Sequence, residues 1–238
     1  MTSWIVSSAT SDSGRVARCL KMWLFKSVAV LEMGRLGSLL TRTNARGGVI
    51  VNFHDIRVVV GSGGSANNPG WTHTEESELN LLVRADWEAR FANNSVTAIL
   101  AEHVWEHLTY EDGVRAAEIC HEFSRPGGYI RCAVPDGNFR NEWYQNLVQV
   151  GGPGPADHPA ASHKIVHTFG SVRSMFQEAG FTVHLLEYCD NAGEFHYEPW
   201  DENDGFIYRS RRFDHRNQNG ELGFVSLLVD AIKPLALD

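Results

Sequence analysis

Apolar residues in this chain come in short β-branched runs, separated by stretches whose apolar positions recur near every third or fourth residue. The runs Ile56–Val60, Leu79–Val83, Val96–Ala101, Tyr129–Val134, Thr182–Tyr188 and Phe224–Ala231 lack a clean period of two. They therefore read as strands buried on both faces. Helical patterns lie between several of them: Tyr110–Phe123, and Gly170–Ala179, which Gly180 stops. Strand and helix in alternation predict an α/β, Rossmann-like, doubly wound and mostly parallel sheet, closed by an antiparallel final strand. Two irregular stretches stand apart. Residues 137–163 carry GGPGPADHP, too rich in glycine and proline for a regular element, and 191–221 crowd aromatic and charged residues together. The embedded Phe195, Tyr197, Trp200, Phe206, Tyr208 and Phe213 make the second a packed functional cap, since loops of that length seldom lack a role.

Composition adds limits. A chain of 238 residues, 43% hydrophobic and 21% charged, suits one domain with a substantial core. The net charge of −8 argues against nucleic acid as a partner. Charge is uneven: residues 1–50 carry +5, leaving −13 for the remainder. That basic, serine-rich segment reads as an N-terminal helical extension, followed by one domain over 51–238; its composition also suits an organelle transit peptide. Cys19, Cys120, Cys132 and Cys189 are scattered, so buried thiols in a reducing cytoplasmic compartment are expected. No apolar run reaches transmembrane length, because Lys21, Lys26, Glu32 and Arg35 interrupt the most hydrophobic segment.

The candidate chemistry begins where Ile56–Val60 enters Gly61-Ser62-Gly63-Gly64. Glycines there let a backbone approach a ligand at the carboxyl end of a strand. Only about ten residues separate Gly64 from Glu75, where a crossover helix needs roughly a dozen or more. The first crossover is therefore shortened to a turn. Further on stand Glu102-His103-Val104-Trp105-Glu106-His107, then Pro126-Gly127-Gly128 before a strand that ends at Val134-Pro135-Asp136.

In this order and spacing the chain resembles a class I S-adenosylmethionine-dependent methyltransferase over nearly all of 56–234. It looks most like a small subgroup of predicted methyltransferases marked by G-x-G-G, P-G-W (here Pro69-Gly70-Trp71), a threonine-acid step (Thr74-Glu75) and E-H-x-x-E-H. The resemblance implies a seven-stranded sheet and S-adenosyl-L-methionine as cofactor. It puts Gly61, Ser62, Gly63 and Gly64 against the cofactor, Glu75 on its ribose, and Asn80, Asp86 and Trp87 beside its adenine. A helix N-cap competes for Asp86 and a core position for Trp87. Glu102 and His103 would face the methionine end, with Glu106 and His107 structural. His103 is the first choice of general base, with His163 and Asp136 behind it. In the cap, His196, Tyr197, Trp200, Arg211 and Arg212 suit a small-molecule or glycan-like acceptor, and the fold also admits a homodimer. Two rivals remain open. One is a cofactor-binding protein without methyl transfer, since Asn80 and Thr97 stand where acids are expected. The other is a zinc hydrolase, because His103-x-x-Glu106-His107 is also an inverzincin motif, with Glu178 or Glu187 as the third ligand.

Overall fold

In the computed structural model, residues 40–43, 49–52 and 55–235 are described. The chain divides into two units, Met1–His54 and Asp55–Asp238. In the first, β1 (Leu40–Thr43) and β2 (Val49–Asn52) pair antiparallel, Leu40 opposite Asn52. The helical reading of residues 1–50 otherwise falls outside the described residues.

In the second unit, β3 (Ile56–Val60) buries Val58, Val59 and Val60, so both its faces are covered as its unbroken apolar run requires. It pairs in parallel with β4 (Thr72–Thr74) on one side and with β5 (Val96–Glu102) on the other. Beyond β5 lies β6 (Ser124–Pro135), again parallel. The chain's last strand, β9 (Ser226–Ile232), inserts antiparallel between β6 and β7 (Thr182–Cys189). The edge strand β8 (Phe195–Tyr197) pairs antiparallel with β7, completing the order β4-β3-β5-β6-β9-β7-β8. This is the expected mixed, mostly parallel seven-stranded sheet.

Its seven strands are not all the expected ones. Leu79–Val83 forms turns, not a strand. Asn80 causes this: its Oδ1 accepts from Leu82 N at 2.8 Å, an Asx turn, while its own N–H donates to Asp86 Oδ2 at 3.0 Å. The short β4 and β8 make up the number.

Four helices of seven or more residues accompany the sheet in the described residues: α1 (Arg84–Arg90), α2 (Tyr110–Phe123), α3 (Glu142–Val148) and α4 (Phe169–Glu178). Thr109 caps α2 by accepting from Asp112 N, and Thr168 and Ser171 form a reciprocal capping box on α4. None is long and apolar enough to cross a membrane. Val58, Val60, Ile99, Ile130 and Val134 pack one sheet face against Ala116, Cys120, Phe123, Val172 and Phe176 of α2 and α4. The opposite face, through Val59, Leu100, Ala133 and Leu228, meets Trp71, Trp200 and Ile207 instead of a helix. The helix missing after β3 is thus replaced by the cap. Burial of Ile207 alone contributes about 2 kcal/mol.

Buried polar groups fasten that cap. Arg131 makes a bidentate pair with Asp230, both contacts 2.8 Å, and donates to the Asp201 and Gly205 carbonyls. Asn68 accepts from Phe206 N at 2.6 Å and donates to its carbonyl at 3.1 Å, imitating a strand pair. The cap has little regular structure, and long-range side chains satisfy its backbone at Asp201, Gly205 and Phe206.

Candidate functional site

The chain runs from β3 to β4 on one side and then crosses to β5 on the other, so the carboxyl ends of β3 and β5 flank a topological switch point, the usual ligand crevice of an open α/β sheet. A cleft of about 660 Å³ opens there, within the range of small-molecule sites. Its walls include Gly61–Gly63 after β3, Glu102–His103 and Glu106–His107 after β5, His163, and Tyr208, Arg209 and Arg216 from the cap.

Gly61, Gly63 and Gly64 all have positive φ, at 60°, 59° and 73°. At Gly61 a Cβ would lie 2.9 Å from Val104 Cγ2, so turn and β5 exit are in contact; at Gly63 and Gly64 it would meet nothing within 4 Å. The amides of this turn converge on Glu75 at the end of β4. Gly64 N–H donates to Oε1 at 2.8 Å and the Ser62 hydroxyl to the same oxygen at 2.5 Å, while Gly63 N–H reaches Oε2 at a long 3.3 Å. These bonds, the Ser62 hydroxyl foremost and the Gly64 amide next, hold the Glu75 carboxyl below its ordinary value. One oxygen is saturated, and the other retains capacity to accept.

Glu102, at the end of β5, accepts Arg209 N at 2.8 Å and Tyr208 N at 3.1 Å. Glu187, fully buried on β7, accepts Arg211 N at 2.7 Å and Trp200 Nε1 at 2.8 Å. Two strand-end carboxylates therefore hang the Tyr208–Arg211 segment over the cleft. Burial raises the Glu187 carboxyl above its ordinary value.

His103 turns out of β5 with φ 57°. Its Nε2 meets Ser226 Oγ at 2.9 Å, and the Ser226 hydroxyl donates to the Arg209 carbonyl at 2.6 Å. That hydroxyl proton is committed, so Ser226 accepts and His103 Nε2 carries the hydrogen. His103 Nδ1 lies 3.0 Å from Glu106 Oε1. Both nitrogens are engaged, and His103 offers the cleft no free lone pair. His163 does. Its Nδ1–H donates to the Val148 carbonyl at 2.9 Å, leaving Nε2 bare, with Glu106 Oε1 3.9 Å away. Burial holds the His163 imidazole below its ordinary value, so it is neutral at pH 7.

Among the other expected site residues, Asp136 is fully buried, accepting Cys189 N at 2.6 Å and Asn138 N at 2.8 Å. It ties the end of β6 to that of β7 and faces no cleft, which corrects its place among the catalytic candidates. Trp87 has no exposed surface: it packs at a tilt against Phe91 and Phe123 and donates to the Asn80 carbonyl at 3.2 Å, which makes it core. Asp86 holds Asn80 as described and is not the helix cap, a position taken by Val83. Asn80, Asp86 and Trp87 thus brace one another outside the cleft walls. His196 stacks on Tyr188 and pairs with Asp190 at 2.9 Å, Arg211 lies over Tyr197, and Arg212 pairs with Glu202; neither these nor Trp200 line the cleft. The cap residues that do reach the cleft are Tyr208, Arg209 and Arg216, the last over Phe224 with its guanidinium paired to Asp214. In the sequence only the clustering of arginine and aromatic residues over 206–216 marks them.

The inverzincin constellation does not form. His103 and His107 do not present nitrogens side by side from one long helix, because a three-residue 3-10 turn, Trp105–His107, follows the left-handed His103. Glu178 accepts from the Tyr110 hydroxyl at 2.7 Å and Glu187 serves the cap, both away from the cleft.

No protein-family model matches the chain, and no curated protein does. Among solved structures, an S-adenosylmethionine-dependent methyltransferase from Archaeoglobus fulgidus is similar at 12% identity and a TM-score of 0.44, over 76% of this chain and 87% of that one. Another, from Methanosarcina mazei, is similar at 11% identity and a TM-score of 0.42, over 78% and 96%. The functional reading accordingly rests on the site.

Proposed function

We propose that this chain binds S-adenosyl-L-methionine in the switch-point cleft and transfers its methyl group to an oxygen or nitrogen of a small-molecule or glycan-like acceptor. The observation that carries this reading is the glycine turn at the β3 end: three positive-φ glycines, two without a neighbour at the Cβ position, with Gly61 and Gly63 on the wall of a 660 Å³ cleft at the sheet's switch point. Glu75 Oε2, held only by the long Gly63 contact, is the acceptor for a ribose hydroxyl. The bound sulfonium supplies an activated methyl group for in-line displacement.

The protein's task is then alignment and exclusion of water. Glu102 and Glu187 keep the cap closed over the cleft, and Arg209, Arg216 and Tyr208 present donors to an oxygen-rich or anionic acceptor. Of the three candidate bases, His163 has the free nitrogen and the neutral state that proton removal requires. His103 acts as a positioning residue between Ser226 and Glu106.

The test is transfer from methyl-labelled donor to a panel of hydroxyl and amine acceptors, read by mass. His163→Asn is expected to lower kcat by about 100-fold or more at unchanged donor affinity. Donor binding with no labelled product from any acceptor class would overturn the transfer step.

A further inference from the structure

On the cleft wall, Glu106 is a fully buried carboxylate, and neither of its oxygens accepts an aligned hydrogen bond. Its nearest neighbour is His103 Nδ1, 3.0 Å from Oε1; Oε2 has no partner. A buried carboxylate oxygen left unpaired costs several kcal/mol, so it calls for a cation not yet named.

Two imidazoles face it. One nitrogen of His107, one of His163 and a Glu106 oxygen all lie within 4.8 Å of one another. The hydrogen bonds fix which nitrogens carry lone pairs. His163 Nδ1–H is held by the Val148 carbonyl. His107 Nδ1 meets Ser162 Oγ at 2.8 Å, and the Ser162 hydroxyl donates to the Pro159 carbonyl at 3.2 Å. Ser162 therefore accepts from His107, and Nε2 of each imidazole is bare. An outer hydrogen bond that fixes tautomer and ring direction is the usual support of a metal-binding histidine.

We infer that Glu106, His107 and His163 bind one first-row divalent transition-metal ion, with Zn²⁺ as the reference ion. Two imidazoles and one carboxylate suit such ions and disfavour Mg²⁺ and Ca²⁺, which prefer all-oxygen ligands. Ligand bonds of about 2.0–2.2 Å place the donor atoms roughly 3–4 Å apart, so the observed 3.9 Å from His163 Nε2 to Glu106 Oε1 needs only small side-chain adjustment. His103 Nδ1, 3.0 Å from the same Oε1, orients the carboxylate as an outer partner does. Three protein ligands leave a coordination position open. The site does not depend on the methyl-transfer reading. If that reading also holds, the open position takes an acceptor oxygen, whose proton the ion makes easier to remove, and the His163 lone pair serves as ligand instead of base.

The test uses the untagged full-length chain, stripped with chelator and titrated with Zn²⁺ and Co²⁺ in the absence of methyl donor. One ion per chain is expected after gel filtration, with a visible Co²⁺ spectrum of low coordination number with nitrogen ligands. His107→Ala and His163→Ala should each weaken binding about 100-fold, and Ser162→Ala about tenfold. His196→Ala, in the partly exposed Asp190–Glu194–His196 group, should change nothing. Circular dichroism checks that each variant is folded; the Co²⁺ spectrum of the unaltered chain needs no variant. Failure of the unaltered chain to retain an ion, a six-coordinate all-oxygen Co²⁺ spectrum, or folded His107 and His163 variants that bind as tightly would each overturn the inference. Because no donor is present, these results stand apart from any test of methyl transfer.

Discussion

Gly61→Ala and Gly63→Ala differ in one respect that the structure makes measurable. Both residues have φ near +60°, so either alanine costs about 1–2 kcal/mol for the left-handed backbone. At Gly63 nothing lies within 4 Å of the new methyl group, and that backbone cost is the whole effect. At Gly61 the methyl group lands 2.9 Å from Val104 Cγ2, adding an overpacking cost of about 1–3 kcal/mol. Gly61→Ala should therefore be less stable than Gly63→Ala by about 1–3 kcal/mol, or roughly 2–10 °C in Tm for a unit of this size. Denaturant unfolding followed by tryptophan fluorescence measures both. The double variant Gly61→Ala/Val104→Ala should recover most of the difference relative to Val104→Ala alone, since the cycle isolates that contact. Equal stabilities for the two alanine variants, or no recovery in the double variant, would refute the contact between the glycine turn and the β5 exit on which the cleft's geometry depends.

Acid sensitivity should trace partly to His167, which burial depresses to about 4, while the Glu106 charge opposes the shift. A histidine whose folded value lies below its unfolded one contributes stability that is complete above about 6.5 and lost as pH falls toward 4. By pH 5 the loss is about 2 kcal/mol, read by denaturant unfolding at pH 7 and pH 5; in His167→Leu that difference should shrink by a similar amount, and an unchanged slope would contradict the assignment. Trp87→Phe should cost about 1–3 kcal/mol of stability and leave donor affinity within about twofold, as a core residue does. A tenfold loss of donor affinity with stability intact would return Trp87 to the adenine site.

Much of the central sheet was legible in its short β-branched runs: those at Ile56, Val96, Tyr129 and Thr182 all form strands. Leu79–Val83 misled because its apolar residues do turn inward, with Leu79 and Leu81 buried, but inside a turn that the Asn80 side chain and Asp86 close. That is a local hydrogen-bonding choice invisible to hydrophobic pattern. The shortened crossover followed from chain length alone; that the cap would cover the sheet face it left bare did not, since Asn68, Arg131 and Glu187 bond to partners 13–138 residues away. For the site, the glycine turn and His163 could be read from residue type and position. His103, by contrast, reads as the favoured base from its position, but Ser226, 123 residues distant, occupies its Nε2. Glu106 and His107 read as structural because nothing in the sequence places His163 beside them.

Calorimetric titration of the full-length chain with S-adenosylhomocysteine tests the central claim most directly. One site per chain is expected, weakened at least tenfold in Glu75→Ala and unaffected by His196→Ala. Absence of binding at millimolar ligand, or binding indifferent to Glu75, would contradict it.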